Sequence, residues 1–180
     1  MRAQIRYTYQ DYLSIPEDTS RRHEIVDGDL FVTAAPRFRH QEVVANVLRA
    51  LDVCAVTHNL GKAVAGPIGV HLHDEAVVEP DVIFVASERL AIVDPEGGVH
   101  GAPDLVVEVL SPTNRDYDRT LKRKLYMANS VPELWLLDAD ERTVEVWRPM
   151  SRVPEVARDT LIWRVGAHRF EIAVEELFRG

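Results

Sequence analysis

Between Asp104 and Leu110 every position after the first is apolar except Glu108. The run Leu105, Val106, Val107, Glu108, Val109, Leu110 reads as a buried strand, and a carboxylate inside it needs a partner strong enough to offset its desolvation. A metal ion is the first partner to consider. A second carboxylate, Asp81, opens another apolar run, Val82 to Val85, and a basic helical segment carrying Lys122 follows the Glu108 strand. Together they form a candidate site for cutting phosphodiesters.

The chain of 180 residues with 46% hydrophobic content is enough for one domain with a sizeable core, spanning 1–180, and two independent domains would be cramped. No apolar stretch approaches the roughly 20 residues of a membrane-spanning helix, and the N-terminus lacks a hydrophobic targeting core. The expectation is a cytoplasmic protein with no membrane partner. The single cysteine, Cys54, excludes an intrachain disulfide and reads as a buried structural thiol. A net charge of −8 argues against broad, nonspecific adhesion to nucleic acid, but a local basic groove is compatible with it. Arg115, Arg119, Lys122, Arg123 and Lys124 stand against Asp116 and Asp118, a local balance of +3.

The segments read as strands and helices folded around one mixed sheet. Thr8 is placed to cap a short N-terminal helix that breaks near Pro16. Arg22 to Val26 leads into Asp27 and Gly28, a hairpin signal joining it to Leu30, Phe31 and Val32. Val43, Val44, Val47, Leu48, Leu51 and Val56 recur at helical spacing and predict a helix over about Arg39 to His58, stopped by Gly61. Strands are expected at 63–65, 69–72, 82–85 and 105–110, with a loop over 94–103. After Pro112, Asp116 or Asp118 can cap a helix reaching about Ala128, with Tyr117, Leu121, Leu125 and Ala128 as its core stripe and Lys122 beside that stripe, its ammonium directed to a polar rim. Leu134 to Leu137 and Val144 to Trp147 predict a hairpin with an acidic turn. Leu161 to Trp163 predicts a further strand, and 172–178 a closing strand or short helix.

Phosphodiester hydrolysis needs neutralised nonbridging oxygens, an activated water and a stabilised leaving oxygen, which divalent oxygen-ligated metals and a lysine can supply. Asp81 and Glu108 are suitable hard ligands, and the Val109 carbonyl adds a third oxygen. Glu24, before the Asp27–Gly28 turn, is a further candidate that also fits a surface role beside Arg22 and His23. Glu79 lines the same pocket or faces solvent, and Asp104 reads as a strand-entry residue. His71 and His73 fall on one strand face as half of a zinc site, but no cysteine or carboxylate cluster at zinc spacing accompanies them. His40, at the start of the long helix, faces substrate or caps. There is no phosphate-binding glycine loop, dinucleotide fingerprint or serine elbow.

The segments His23 to Leu30, Glu79 to Val82, Pro103 to Pro112, Lys122 to Tyr126 and Val131 to Asp138 occur in an order that resembles the restriction-endonuclease family expanded in cyanobacteria, within the PD-(D/E)XK nuclease superfamily. The resemblance implies an α/β, restriction-endonuclease-like fold, a mixed central sheet flanked by helices with additional hairpin strands. It implies Asp81 and Glu108 as the two acids of the motif and Glu24 as the additional N-terminal acid. The plain superfamily motif has its lysine two residues after the second acid, where this chain has Leu110, whereas the family resembled carries it on the following helix, which maps to Lys122. Asp81, Glu108 and the Val109 carbonyl would then hold Mg2+ or Mn2+, with Glu24 binding a second ion or one of its waters. Lys122 would orient or help deprotonate the attacking water, and Tyr126, four residues on, packs beneath it or is an ordinary core tyrosine. Arg119 and Arg123 are candidate phosphate contacts. The expected partner is DNA, cut endonucleolytically, with a homodimer engaging both strands. The competing readings are a noncatalytic nucleic-acid-binding protein and a structural or interaction protein on the same scaffold.

Overall fold

The computed structural model describes residues 5–16, 20–112 and 115–180. Its first helix, α1 (Tyr9–Leu13), begins with a capping box in which the Thr8 hydroxyl accepts the Asp11 N–H and the Asp11 carboxylate accepts the Thr8 N–H. Strands β1 (Arg21–Val26) and β2 (Asp29–Ala34) form the hairpin expected from Asp27–Gly28, both of which have positive φ, 49° and 79°.

The long helix α2 (Phe38–His58) ends at His58 as expected, but its stop is not Gly61. Asn59 adopts the left-handed cap itself, a conformation its short amide side chain tolerates. Val43, Val44, Val47, Leu51 and Ala55 make its buried stripe, whereas Val56 is exposed and Cys54 only half-buried, so that thiol is not a core residue.

Strands β3 (Gly61–Ala65), β4 (Val70–His73), β5 (Ala76–Val78), β6 (Val82–Ala86), β7 (Val93–Asp94), β8 (Gly98–His100) and β9 (Leu105–Leu110) follow, with a 3-10 turn over Ser87–Ile92. A helical stretch then comprises α3 (Arg115–Tyr117), a π-turn (Asp118–Lys122) and α4 (Arg123–Ala128). The chain closes with β10 (Glu133–Asp138), β11 (Thr143–Trp147), β12 (Glu155–Ala157), β13 (Thr160–Val165), β14 (His168–Ala173) and α5 (Val174–Leu177). The C-terminal segment is thus both the strand and the short helix between which the sequence left a choice.

The strands do not share one sheet. The central mixed sheet has the order β12-β11-β10-β9-β6-β3, with β9 and β10 parallel at its middle, a second sheet has the order β2-β1-β5-β4-β8-β7, and β13 and β14 pair as a separate two-stranded sheet. Strand patterning sets which residues of a strand are buried but not which sheet receives it, and here two sheets bury a common layer.

Alternation along β9 and β10 divides the interior into two cores. Leu105, Val107 and Val109 pack with Trp135 and Leu137 against α2 and the C-terminal elements. Val106 and Leu110 pack with Leu134, Leu136, Leu125 and Tyr126 on the opposite side. Glu108 has the parity of Val106 and Leu110, so it emerges on the face covered by the α4 stretch.

Candidate active site

Strands β6 and β9 are antiparallel neighbours with Val82 opposite Val107. Asp81 immediately precedes β6, so this register brings it beside Val109, whose N–H donates to Asp81 Oδ2 at 2.8 Å. Asp81, Glu108, Glu24 and Lys122 are each almost completely buried, as is Asp118. The structure therefore gathers the sequence-selected side chains at one place.

Lys122 reaches that place because the helix is not a regular α-helix. In the π-turn the Arg123 N–H bonds to the Asp118 carbonyl, which adds a residue to the turn and rotates the following side chains relative to a 3.6-residue period. Leu121, expected in the core stripe, is consequently exposed, and Asp118 and Lys122 point inward. Asp118 is a buried member of the cluster, and not the helix cap. The Lys122 Nζ stands 2.6 Å from Glu108 Oε1, 2.8 Å from Glu24 Oε1 and 4.0 Å from Asp118 Oδ1. The Tyr126 hydroxyl donates to the same Glu108 oxygen at 2.6 Å.

Asp81 has its own set of partners. Arg22 donates to Oδ1 at 2.6 Å, and His40 Nε2 lies 3.2 Å from Oδ2 and 3.0 Å from the Val109 carbonyl. Both neighbours of that nitrogen are acceptors, so Nε2 carries a hydrogen. The other ring nitrogen, Nδ1, is buried without a partner among the described residues. Glu24 also accepts the Glu79 N–H at 2.8 Å, and Glu79 accepts the Tyr12 hydroxyl at 2.9 Å, so α1 braces the site from outside.

These contacts set the charge states. Burial opposes ionisation of Asp81, but the hydrogen bond from His40, the charges of His40 and Arg22 and the Val109 N–H outweigh it and hold the carboxyl down at about 2. Burial pushes Glu108 up to about 8 despite Lys122, and Asp81 and Asp118 push in the same direction. Asp118 is raised by burial to about 7 against the pull of Lys122. Burial works against the Lys122 ammonium, yet Glu108 and Glu24 keep its pKa well above the ordinary lysine value, so Lys122 retains its proton. Four buried acidic side chains thus face two permanent cations, Arg22 and Lys122, and Glu108 and Asp118 hold protons into the neutral range.

Among the described residues, no three His, Cys, Asp or Glu side chains are gathered in a ligand arrangement, because Lys122 separates Glu24 from Glu108 and Arg22 and His40 occupy Asp81. The donor chemistry nevertheless fits a hard divalent cation: carboxyl oxygens that a bound cation would deprotonate and a neighbouring backbone carbonyl.

Arg119 and Arg123 do not line this cluster. Arg119 pairs with Glu145 at 2.7 Å and Asp138 at 3.2 Å, and the Arg123 guanidinium stacks 4.3 Å above the Trp147 ring. Asp104 binds the Ala86 N–H and Arg89, the strand-entry role expected of it.

The sequence profile of the Uma2 family, described as "Putative restriction endonuclease", matches residues 9–175. The chain belongs to the Uma2 family. A solved structure described as a putative nuclease belonging to DUF820 from Anabaena variabilis matches with a TM-score of 0.77 at 19% identity, over 95% of this chain and 97% of that one. That likeness shows that this Uma2 chain shares the fold of that structure. A comparison with curated proteins gives no match. In the Uma2 scaffold seen here, sequence reasoning missed Arg22, His40 and Asp118 as neighbours of the acids. Two signals were available: Arg22 shares a strand face with Glu24 at spacing two, and Asp118 shares a helix side with Lys122 at spacing four.

Proposed function

We propose that the chain is a metal-dependent endodeoxyribonuclease whose centre comprises Asp81, Glu108 and Lys122, with Glu24 assisting. The observation that carries this reading is the Lys122 ammonium held between Glu24 and Glu108, beside Asp81 on the neighbouring strand, in a layer where an ion cluster has no packing advantage over apolar residues. Membership of a family described as "Putative restriction endonuclease" supports it.

Asp81, Glu108 and the Val109 carbonyl are the groups that would hold Mg2+ or Mn2+, and the bound cation would supply charge neutralisation at the phosphate and a more acidic water. Lys122, held between Glu24 and Glu108, would orient the attacking water and stabilise developing negative charge. Tyr126 positions Glu108, and Glu24 positions Lys122. Arg22 neutralises Asp81 while the cation is absent, and once displaced it is the nearest guanidinium to serve a phosphate oxygen. Hydrolysis forms one P–O bond from water and breaks the P–O bond to a deoxyribose oxygen, which takes up a proton.

A noncatalytic scaffold is the second reading, favoured by the pairing of Asp81 with Arg22, which a purely structural acid would also show. Incubation of the purified chain with a panel of plasmid and oligonucleotide DNA in Mg2+ or Mn2+ separates the two. Cleavage that a chelator abolishes is the expected result. Verified metal binding with every substrate left intact would assign the scaffold to the noncatalytic class. Dimerisation and cytoplasmic residence belong to the same proposal. Among the described residues no helix is long and apolar enough to cross a membrane.

A further inference from the structure

The zinc reading of His71 with His73 changes once strand register is known. His71 lies directly opposite His100 in the parallel pair of β4 and β8. The backbone holds that pairing closely, with the Val99 N–H donating to the Gly69 carbonyl and the Gly101 N–H to the His71 carbonyl, both at 2.9 Å. The two imidazole Nδ1 atoms are 3.4 Å apart. The distance admits an N–H···N hydrogen bond when one ring carries its proton on Nδ1. It matches the separation of about 3.3–3.4 Å between two nitrogens that each sit about 2.0–2.1 Å from one tetrahedral ion.

Both rings are fixed by the same aromatic neighbour. Tyr9 of α1 stacks on His71 with centroids 3.9 Å apart and planes within 9°, and meets His100 edge-on at 5.9 Å. Tyr9 is itself tethered by its N–H to the Asp74 carbonyl at 2.7 Å. Burial and the nearby His100 lower the His71 pKa, which favours the neutral, ligand-competent ring.

From this arrangement we infer that His71 and His100 form a bidentate site for a late first-row divalent cation, Zn2+, Ni2+ or Cu2+, held through the two Nδ1 atoms. Imidazole nitrogens suit those ions, whereas the oxygen-rich centre at Asp81 and Glu108 suits harder ones, so the two sites differ in the metal they select. Among the described residues no third His, Cys, Asp or Glu completes the set, and water fills the remaining positions. Coordination through Nδ1 leaves the hydrogen on Nε2, which in His71 is buried without an acceptor, so the ion is held less firmly than at a site with supporting acceptors. The site does not depend on the nuclease reading.

The test titrates ZnCl2 or NiCl2 calorimetrically into the full chain at about pH 7.5, where imidazole is neutral. Asp81→Asn and Glu108→Gln are introduced together so that the acidic centre does not contribute. One equivalent is expected to bind. His71→Phe, which keeps a ring against Tyr9, and His100→Ala should each weaken binding by about tenfold or more, and His73→Ala should leave it unchanged. Zinc should also move the 15N resonances of both Nδ1 atoms in the otherwise unaltered chain, a readout that needs no variant to fold. Absence of binding, equal affinity in all the histidine variants, an equal loss with His73→Ala, or 15N shifts confined to other histidines would overturn the site.

Discussion

The Nζ of Lys122 lies 2.6 Å from Glu108 Oε1 and 2.8 Å from Glu24 Oε1, and all three side chains are closed off from solvent. One ammonium therefore serves two carboxylates. Removing it in Lys122→Met leaves both without their shared cation, and metal-free stability should fall by about 3–5 kcal/mol in urea unfolding. A loss under about 1 kcal/mol would mean that the acids do not rely on Lys122.

Stability should depend on pH with a sign set by the raised acids. Glu108 at about 8 and Asp118 at about 7 keep protons that the unfolded chain releases near pH 4, so the folded state binds more protons between about pH 4 and pH 8. Their contribution to stability declines as pH rises through that window. Asp81 acts oppositely: held at about 2, it contributes stability that is present above about pH 4 and lost as pH falls through about 2. The metal-free chain should melt about 5 °C or more lower at about pH 8 than at about pH 5, and Glu108→Gln should flatten that slope. Calorimetry showing a Tm that is constant or rises over this range would contradict the assigned shifts.

Tyr126→Phe removes one hydroxyl from a buried position, together with its 2.6 Å bond to Glu108. The expected loss is about 0.5–1.5 kcal/mol near neutral pH, where Glu108 holds its proton, and about 1.5–3 kcal/mol above about pH 8, where the acceptor is a carboxylate. The same variant should lower the rate of metal-dependent cleavage without altering DNA affinity, since Tyr126 acts by positioning Glu108. A variant as stable and as active as the parent chain would reduce Tyr126 to a core residue.

Arg22 competes with any cation for Asp81, which it contacts at 2.6 Å. Arg22→Met should therefore destabilise the metal-free chain and yet tighten its Mn2+ affinity, a pair of opposite effects that titration and thermal unfolding can read on one preparation. Weaker Mn2+ binding in Arg22→Met would show that the guanidinium supports the metal position and does not fill it.

Parts of this arrangement are legible in the chain alone. Glu108 and Asp81 stand out because a lone carboxylate in an apolar run is costly, and that penalty is visible in one dimension. Arg22 and His40 are not legible in that way. They meet Asp81 and Val109 across 59 and 69 positions of sequence, through contacts that exist only once β1 and α2 are docked on the central sheet. The phase of the Lys122 helix was misread because a 3.6-residue period assigns Leu121 to the core, whereas the π-turn moves Lys122 there. The division into separate sheets is hidden for a related reason, since alternation fixes which side of a strand is buried and is silent on which neighbour it pairs with.

The most direct measurement is the single-turnover rate of DNA cleavage in Mg2+ or Mn2+ by the parent chain and by Glu108→Gln. Glutamine has nearly the shape of glutamate and lacks its charge, and the fold already pushes Glu108 toward its neutral form, so this variant should fold at least as well as its parent. It should nonetheless cleave about 100-fold or more slowly, consistent with loss of a metal-holding carboxylate. Cleavage at the parental rate by folded Glu108→Gln would contradict the assignment of this centre as the site of phosphodiester hydrolysis.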